Sequence, residues 1–453
     1  MKIVIQGAGE VGSHLAKMLS HGAHEITVID NNIERLAGLR SSADIISIES
    51  SAPSSLKAMR EADVQHADLF ISVVPFVPQE VNVVSAILAK SLGAAKVTAR
   101  IDDNEFLSPE NRLLFKQMGI ELMFYPERLA ADEIFDILKH SNSSESMDFA
   151  RGQLQVEAFK IEEESPLLDM KIAEFAAITN RQELQFRVIA INRGGKTIIP
   201  KFDTKLLYHD LVYVIATREG ILFLKKFLGM DNVEIDRVMI YGGSKIAELV
   251  ADQLSKKISS VKIIEKDKER GVSLSERLDD NVTVITGDGR NPDFLIEEGI
   301  RGYDAFLALT DNDEGNVLAC VTAKKLGISK TIAEVETIEY IHLAEEMGVD
   351  SVINKKLITA SRLFKFTLSG KARLVKYVSG TDAEVLEYIV PEGAAITKQP
   401  LKDIAFPKDA VIGGIIRGKE SMIAIGSTLV EPYDRVAVFT MPDSVEEVDA
   451  FFK

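Results

Sequence analysis

Lys2-Ile-Val-Ile-Gln6, Gly7-Ala-Gly-Glu-Val-Gly12, a helical run, then Ile26-Thr-Val-Ile-Asp30: this opening decides the fold. An apolar run, a Gly-x-Gly-x-x-Gly turn and a helix form the first β-α unit of a dinucleotide-binding sheet. Gly7 allows the tight turn, Gly9 lets the backbone approach a pyrophosphate, and Gly12 lets the helix pack on the strand. The helix N-terminus then presents N–H groups to the phosphates. Val11, Leu15, Met18 and Leu19 fall on one helical face, and Gly22 is the expected stop. Asp30 ends the second strand, at the distance beyond Gly7 where an acid accepts hydrogen bonds from a ribose 2′-OH. A carboxylate there repels a 2′-phosphate, so NAD is expected rather than NADP.

The rest of the chain follows the same plan. Ile45–Ile48, Asp68–Val74, Val97–Ile101 and Leu122–Phe124 read as strands, alternating with helices over 54–61, 81–92 and 127–139. Such alternation calls for an α/β fold, a doubly wound parallel sheet covered on both faces. Ser141 to Asp148 reads as a linker. From Gln153 the pattern changes to alternating strands, with a hairpin at Arg193-Gly194-Gly195, as in a small α+β lobe.

Then the programme restarts. Asp236–Tyr241 leads into Gly242-Gly-Ser-Lys-Ile-Ala247, a helix and Val261-Lys-Ile-Ile-Glu265. Glu265 stands as far beyond Gly242 as Asp30 stands beyond Gly7. Arg417-Gly418 follows Arg193-Gly194 at the same offset by which Tyr433-Asp434 follows His209-Asp210. A repeat this long is a duplicated two-lobe module rather than a solenoid. The expected lobes are 1–140 (nucleotide-binding), 141–230 (small), 235–369 (nucleotide-binding) and 370–453 (small).

Composition narrows the class. Asp plus Glu is 69 against 53 Lys plus Arg, a net charge of −16 that disfavours nucleic acid and anionic lipid as partners. No apolar run approaches the ~18 to 20 residues of a membrane span, so direct membrane insertion is not expected. A strand beginning at Lys2 leaves no room for a signal peptide. The single cysteine, Cys320, reads as a core thiol. These features point to a cytosolic protein.

The order of modules, Gly7-Ala-Gly-Glu-Val-Gly12, and the run from Gly287-Asp288 to Thr310-Asp-Asn-Asp-Glu314 resemble the regulator of K⁺ conductance (RCK) family, in its Trk-system branch, over the whole chain. The resemblance implies two Rossmann-like sheets, each followed by a small α+β RCK C-terminal lobe. It implies a non-enzymatic, peripheral cytosolic subunit on the inner face of the cell membrane. Such a subunit binds NAD (NADH or NAD⁺) and gates a Trk-type potassium channel membrane subunit, as a homodimer or homotetramer. It places nucleotide contacts at Gly7, Ala8, Gly9, Glu10, Val11, Asp30, Val73, Val74 and Arg100. In the second half they fall at Gly242, Gly243, Ser244, Lys245, Ile246, Glu265, Leu309, Thr310 and Glu334. NAD is expected at the first site, with ATP or ADP as further ligands at either.

Both halves depart from the family pattern, in complementary ways. In the first, Ser50-Ser51 replaces Gly-Asp, and Val74-Pro75-Phe76-Val77-Pro78 replaces Thr-x-x-Asp with two extra residues. In the second, Ser244 and Ala247 replace the last two glycines, so this site is expected to be weaker. The Ser244 hydroxyl and Lys245 remain candidates for a single phosphate. Asp311 and Asp313 read as acids capping the following helix, not metal ligands. Two rivals stand beside the regulatory reading: an NAD-dependent dehydrogenase and a soluble nucleotide sensor for another membrane protein. The dehydrogenase needs a proton donor or acceptor beside the nicotinamide, and the small lobes offer no such His-Asp or Lys constellation. No catalytic residue is assigned.

Overall fold

The computed structural model describes residues 1–20, 24–75, 77–139, 145–149, 152–178, 186–229, 235–364, 372–377 and 383–453. Gly22, Phe76 and the first residues of the expected linker lie outside them. Six parallel strands form the first sheet: β1 (Lys2–Gln6), β2 (Glu25–Asp30), β3 (Ile46–Glu49), β4 (Leu69–Ser72), β5 (Lys96–Arg100) and β6 (Leu122–Phe124). Their order is β3-β2-β1-β4-β5-β6, so the order in which strands are added reverses between β1 and β4, which run parallel. Dinucleotides bind at the carboxyl ends of the strands at such a reversal.

β7 (Glu145–Phe149), β8 (Leu154–Lys160), β9 (Phe186–Arg193), β10 (Lys196–Ile198) and β11 (Leu211–Thr217) form an antiparallel sheet ordered β10-β9-β11-β8-β7. The parallel sheet then recurs with β12 (Arg237–Tyr241), β13 (Ser260–Glu265), β14 (Val282–Thr286), β15 (Ala305–Ala308), β16 (Lys330–Glu334) and β17 (Ser351–Ile353). Its order, β14-β13-β12-β15-β16-β17, repeats the first. The last sheet holds β18 (Ala372–Tyr377), β19 (Glu384–Ile389), β20 (Ala410–Arg417), β21 (Glu420–Ile423) and β22 (Arg435–Thr440), ordered β18-β19-β22-β20-β21. The α/β class and the duplication are as the sequence indicates. One element differs: residues 145–148, read as linker, belong to β7, which pairs antiparallel with β8 from Glu145↔Ala158 to Phe149↔Leu154. Their polar composition mimics a loop, but an edge strand is fixed by the ladder of its neighbour, a long-range cause.

The chain forms two compact units, Met1–Leu129 with Lys355–Ser369, and Ala130–Asn354 with Gly370–Lys453. In the first, Ile3, Ile5, Leu15, Leu19 and Val28 share a core with Ala360 and Leu363 of the helix Lys355–Phe364. That helix follows the second parallel sheet in sequence, yet covers the first. Reciprocally, Ala130 to Lys139 of the helix Pro126–Lys139 belongs to the second unit, where Asp132 accepts from Gln253 at 2.9 Å. An amphipathic pattern says that a helix face is buried, but not which of two alike sheets buries it.

Within the second unit the small sheets share one core. Leu154, Val156, Ile189, Tyr213 and Ile215 pack with Val385, Ile416, Ile423 and Phe439. Gly414 permits the approach, since a Cβ there would lie 2.8 Å from Leu154 Cδ1. Arg187 seals the seam, donating to the carbonyls of Ile412 (3.2 Å) and Ala424 (3.0 Å). The residues that mark the repeat of the small lobes prove to be ion pairs. Arg193 grips buried Asp210 at 2.7 and 2.6 Å, and Arg417 grips buried Asp434 at 2.9 and 2.8 Å.

Lys160 of β8 donates to the backbone carbonyl of Glu345, on the helix Ile338–Glu346, at 3.0 Å. Burial pushes the Glu345 carboxyl up to about 7, against the pull of Lys160. An acid with a raised folded-state pKa keeps its proton where the unfolded chain has lost it. Stability therefore falls as pH rises from the unfolded value of 4.5 to about 7. Glu345→Gln is expected to exceed the parent by about 2 kcal/mol at pH 8 and to match it at pH 4. Urea unfolding at both pH values checks this; a difference independent of pH contradicts it.

Candidate nucleotide-binding sites

The first glycine loop is held from three sides. Gly7 has a φ of 108°, and its N–H donates to the Ile29 carbonyl at 2.8 Å. A Cβ on Gly7 would stand 2.9 Å from backbone atoms of Val73 and Val74. A Cβ on Gly12 would collide with the Gly7 carbonyl oxygen. Only glycine fits either place. Asp30 closes the loop, one carboxylate oxygen accepting from Ala8 N–H at 2.5 Å and the other from Asn32 N–H at 2.8 Å. Each oxygen keeps a further lone pair for a ribose hydroxyl. In the second half Glu265 does the same, accepting from Gly243 N–H (2.5 Å) and Asp267 N–H (2.8 Å). The shared spacing from glycine to acid thus places a carboxylate on the glycine loop twice.

The two loops differ at their middle residue. Ser244 accepts from Ala247 N–H at 3.2 Å and so caps its own helix. Its hydroxyl therefore spends an acceptor on one of the N–H groups an anion would use. Gly9 has no side chain with which to cap the first helix in this way. Gly9 has a second duty as well, because a Cβ there would lie 2.7 Å from Pro75 Cγ. Pro75 belongs to the segment that departs from the family pattern. Gly9→Val is accordingly expected to destabilise the ligand-free protein by about 1–3 kcal/mol in addition to blocking the pyrophosphate. An unchanged melting temperature without ligand would contradict the Pro75 contact.

The remaining predicted residues fall into three groups. Val11 and Ile246 are buried core residues that can offer a ligand only backbone N–H groups. Val73, Val74, Leu309 and Thr310 follow β4 and β15 directly, where two buried asparagines fix the backbone. Asn82 accepts from Val74 N–H (2.9 Å) and donates to its carbonyl (3.1 Å). Asn316 treats Thr310 likewise at 3.1 and 2.7 Å, and also donates to the Glu334 carbonyl at 2.9 Å. Asn82 escapes the sequence reading because the altered segment before it obscures the repeat.

The charged candidates are already engaged. Arg100 pairs with Asp102 (3.2 Å) and Glu127 (3.4 Å), and Lys245 with Glu248 (3.0 Å). Glu10 lies 3.6 Å from Lys356, on the helix Lys355–Phe364. Asp313 does not act as the helix cap; Asn312 does, accepting from Gly315 N–H. The Asp313 carboxylate instead holds the loop after β16, accepting from Glu336 and Thr337 N–H at 2.9 Å each. Gln79 holds the loop after β5 in the same manner, from Asp102 and Asp103. In the second half Arg290 grips Asp288 and holds its carboxyl down at about 2. Cys320 is buried, and burial raises its thiol far above the usual range.

Glycine loop, strand-end acid and sheet reversal, present twice, define a tandem nucleotide-binding-type fold with paired antiparallel lobes. The sequence profile of the TrkA-N domain matches residues 3–126 and 238–355, and that of the TrkA-C domain matches 156–229 and 385–453. The chain belongs to the TrkA family. It is 34% identical to the "Trk system potassium uptake protein TrkA homolog" of Archaeoglobus fulgidus, over 100% of both chains. It is 30% identical to "Trk system potassium uptake protein TrkA" of Halomonas elongata, over 100% of this chain and 99% of the other. Among solved structures, "GsuK channel bound to NAD" aligns with a TM-score of 0.60 and 16% identity, covering 99% of this chain and 78% of that one. "Crystal Structure of the GsuK RCK domain" aligns at 0.59 and 14%, covering 99% and 94%. These likenesses show the fold: tandem RCK modules.

Proposed function

We propose that this chain is a peripheral cytosolic regulatory subunit that binds NAD(H) at the first glycine loop and gates a Trk-type membrane potassium channel. The observation that carries the reading is the Asp30–Ala8 tie across a glycine loop whose middle residue, Gly9, has no side chain to cap the helix that follows. The residues fit a dinucleotide there: Gly7 and Gly9 approach the pyrophosphate, the helix N-terminus binds it, and Asp30 holds the ribose. Bound NAD supplies no chemistry in this role; its binding energy is the output. The second loop, part-capped by Ser244, takes a mononucleotide such as ADP or ATP more weakly. The relatives' names place them in a potassium uptake system, and no helix among the described residues is long and apolar enough to cross a membrane.

Nucleotides that bind two arrangements of the lobes with different affinity shift their populations, and an attached channel reads the shift. Self-assembly fits the surface: Leu114 and Met118 at the end of the helix Pro109–Gln117 are exposed, and so are Leu343 and Met347 at the end of the helix Ile338–Glu346. The same apolar pair on both halves suits contact between copies in a homodimer or homotetramer. Titration calorimetry with NADH, NAD⁺, ATP and ADP tests the binding. At least one dinucleotide per chain, bound more weakly by Asp30→Ala, is expected; binding by none of the four contradicts the proposal.

A further inference from the structure

We infer that Gln6 reads the base at the first nucleotide site, its carboxamide meeting the hydrogen-bonding edge of a 6-aminopurine; this rests on the nucleotide reading above. Gln6 is the last residue of β1, directly before the glycine loop, and is 1% exposed. Both its Nε2 and Oε1 are buried with no hydrogen-bond partner among the described residues. Buried amides are nearly always paired, because one left unpaired forfeits its bonds to water. If packing were its only duty, a leucine of similar volume would serve better.

The second half shows where a side chain at this position goes. Tyr241 ends β12 as Gln6 ends β1, and its hydroxyl donates to Asp288 at 3.3 Å, in the segment after β14. Gly289 lies so close that a Cβ there would stand 2.5 Å from the Tyr241 ring. The segment after β3 is placed the same way, since Ser50 N–H donates to the Asp30 backbone carbonyl just as Gly287 N–H donates to the Glu265 backbone carbonyl, at 2.9 and 3.0 Å. Ser51 takes the place of Asp288, and the Ser50 hydroxyl turns away to the Ala52 carbonyl at 2.7 Å. The protein partner that Tyr241 enjoys is thus missing for Gln6.

Asp30 ends the neighbouring strand, with Gln6 paired in register to Ile29. A ribose held by Asp30 brings its base within one sugar of that rim, over β1 to β3. A carboxamide offers one donor face and one acceptor, and adenine offers the complementary 6-amino donor beside a ring-nitrogen acceptor.

The test uses the full chain in a Glu265→Ala background, so that titration reads the first site. ADP and its analogue lacking the 6-amino group are titrated into the Gln6 parent and Gln6→Leu. Gln6→Leu is expected to weaken ADP at least tenfold and the analogue, which keeps only the ring-nitrogen acceptor, several-fold less, and to leave the ligand-free melting temperature equal or higher. Equal losses for both ligands, no loss for ADP, or a lower ligand-free melting temperature would each overturn the assignment; the last marks an internally satisfied structural amide. Should Asp30→Ala weaken both ligands and Gln6→Leu neither, only the role of Gln6 falls. Should the parent bind neither of these nor NADH, the nucleotide reading falls and takes Gln6 with it; NADH bound without ADP overturns the assignment of Gln6 alone.

Discussion

Gly12→Ala is expected to destabilise the first lobe by about 3 kcal/mol or more. The added Cβ would collide with the Gly7 carbonyl oxygen and stand 3.0 Å from both the Gly7 carbonyl carbon and Val73 Cγ2. Neither side can yield cheaply. Gly7 is pinned by its bond to Ile29 and by a φ that other residues resist, and Val73 is bonded to Gln6 at 2.8 Å. Relief requires lifting the helix Glu10–Ser20 from the sheet, which breaks the packing of Leu15 and Leu19. The second half supplies the control. Ala247 occupies the equivalent position fully buried, so that loop is already spaced for a methyl group. Ala247→Gly should cost only about 1 kcal/mol, the helix propensity and the lost methyl. Urea titration of both variants checks the asymmetry; equal losses would contradict the difference between the loops.

Asp30→Ala is expected to weaken NAD(H) by about 1–3 kcal/mol, roughly 5- to 150-fold, through loss of charge-assisted bonds to the ribose. The carboxylate also tethers Ala8 and Asn32 N–H, so the variant frees the glycine loop as it removes the ligand contact. Its circular dichroism should remain that of the parent, because the sheet pairing of β2 does not use the side chain. Glu265→Ala should have a smaller effect on total dinucleotide binding, the second loop being already part-capped by Ser244. Equal NADH affinity in parent and Asp30→Ala would remove this acid from the site.

The glycine loop, the strand-end acid Asp30 and the duplication were legible because each is local or periodic. Turn chemistry, a strand's apolar run and a fixed spacing are written along short stretches of chain. What stayed hidden depends on partners far along the chain. β7 looks like a linker because the ladder that makes it a strand belongs to β8. The helix Lys355–Phe364 shows a buried face, but its sequence cannot say that the face meets Leu15 and Leu19 rather than the nearer sheet. Arg193 and Asp210 were visible as markers of the repeat, while their joining as an ion pair was not. Pro75 against Gly9 and the Ser244 hydroxyl on Ala247 are equally geometric. They show that residues suited to a phosphate also serve the loop itself.

The gating claim is tested most directly by potassium flux through a purified Trk-type channel subunit in liposomes, with and without this protein, as NADH, NAD⁺, ATP and ADP are varied. Nucleotide is expected to change the flux only when the protein is present, and Asp30→Ala should blunt the response to NADH. Flux that answers nucleotide identically with and without the protein would contradict the account.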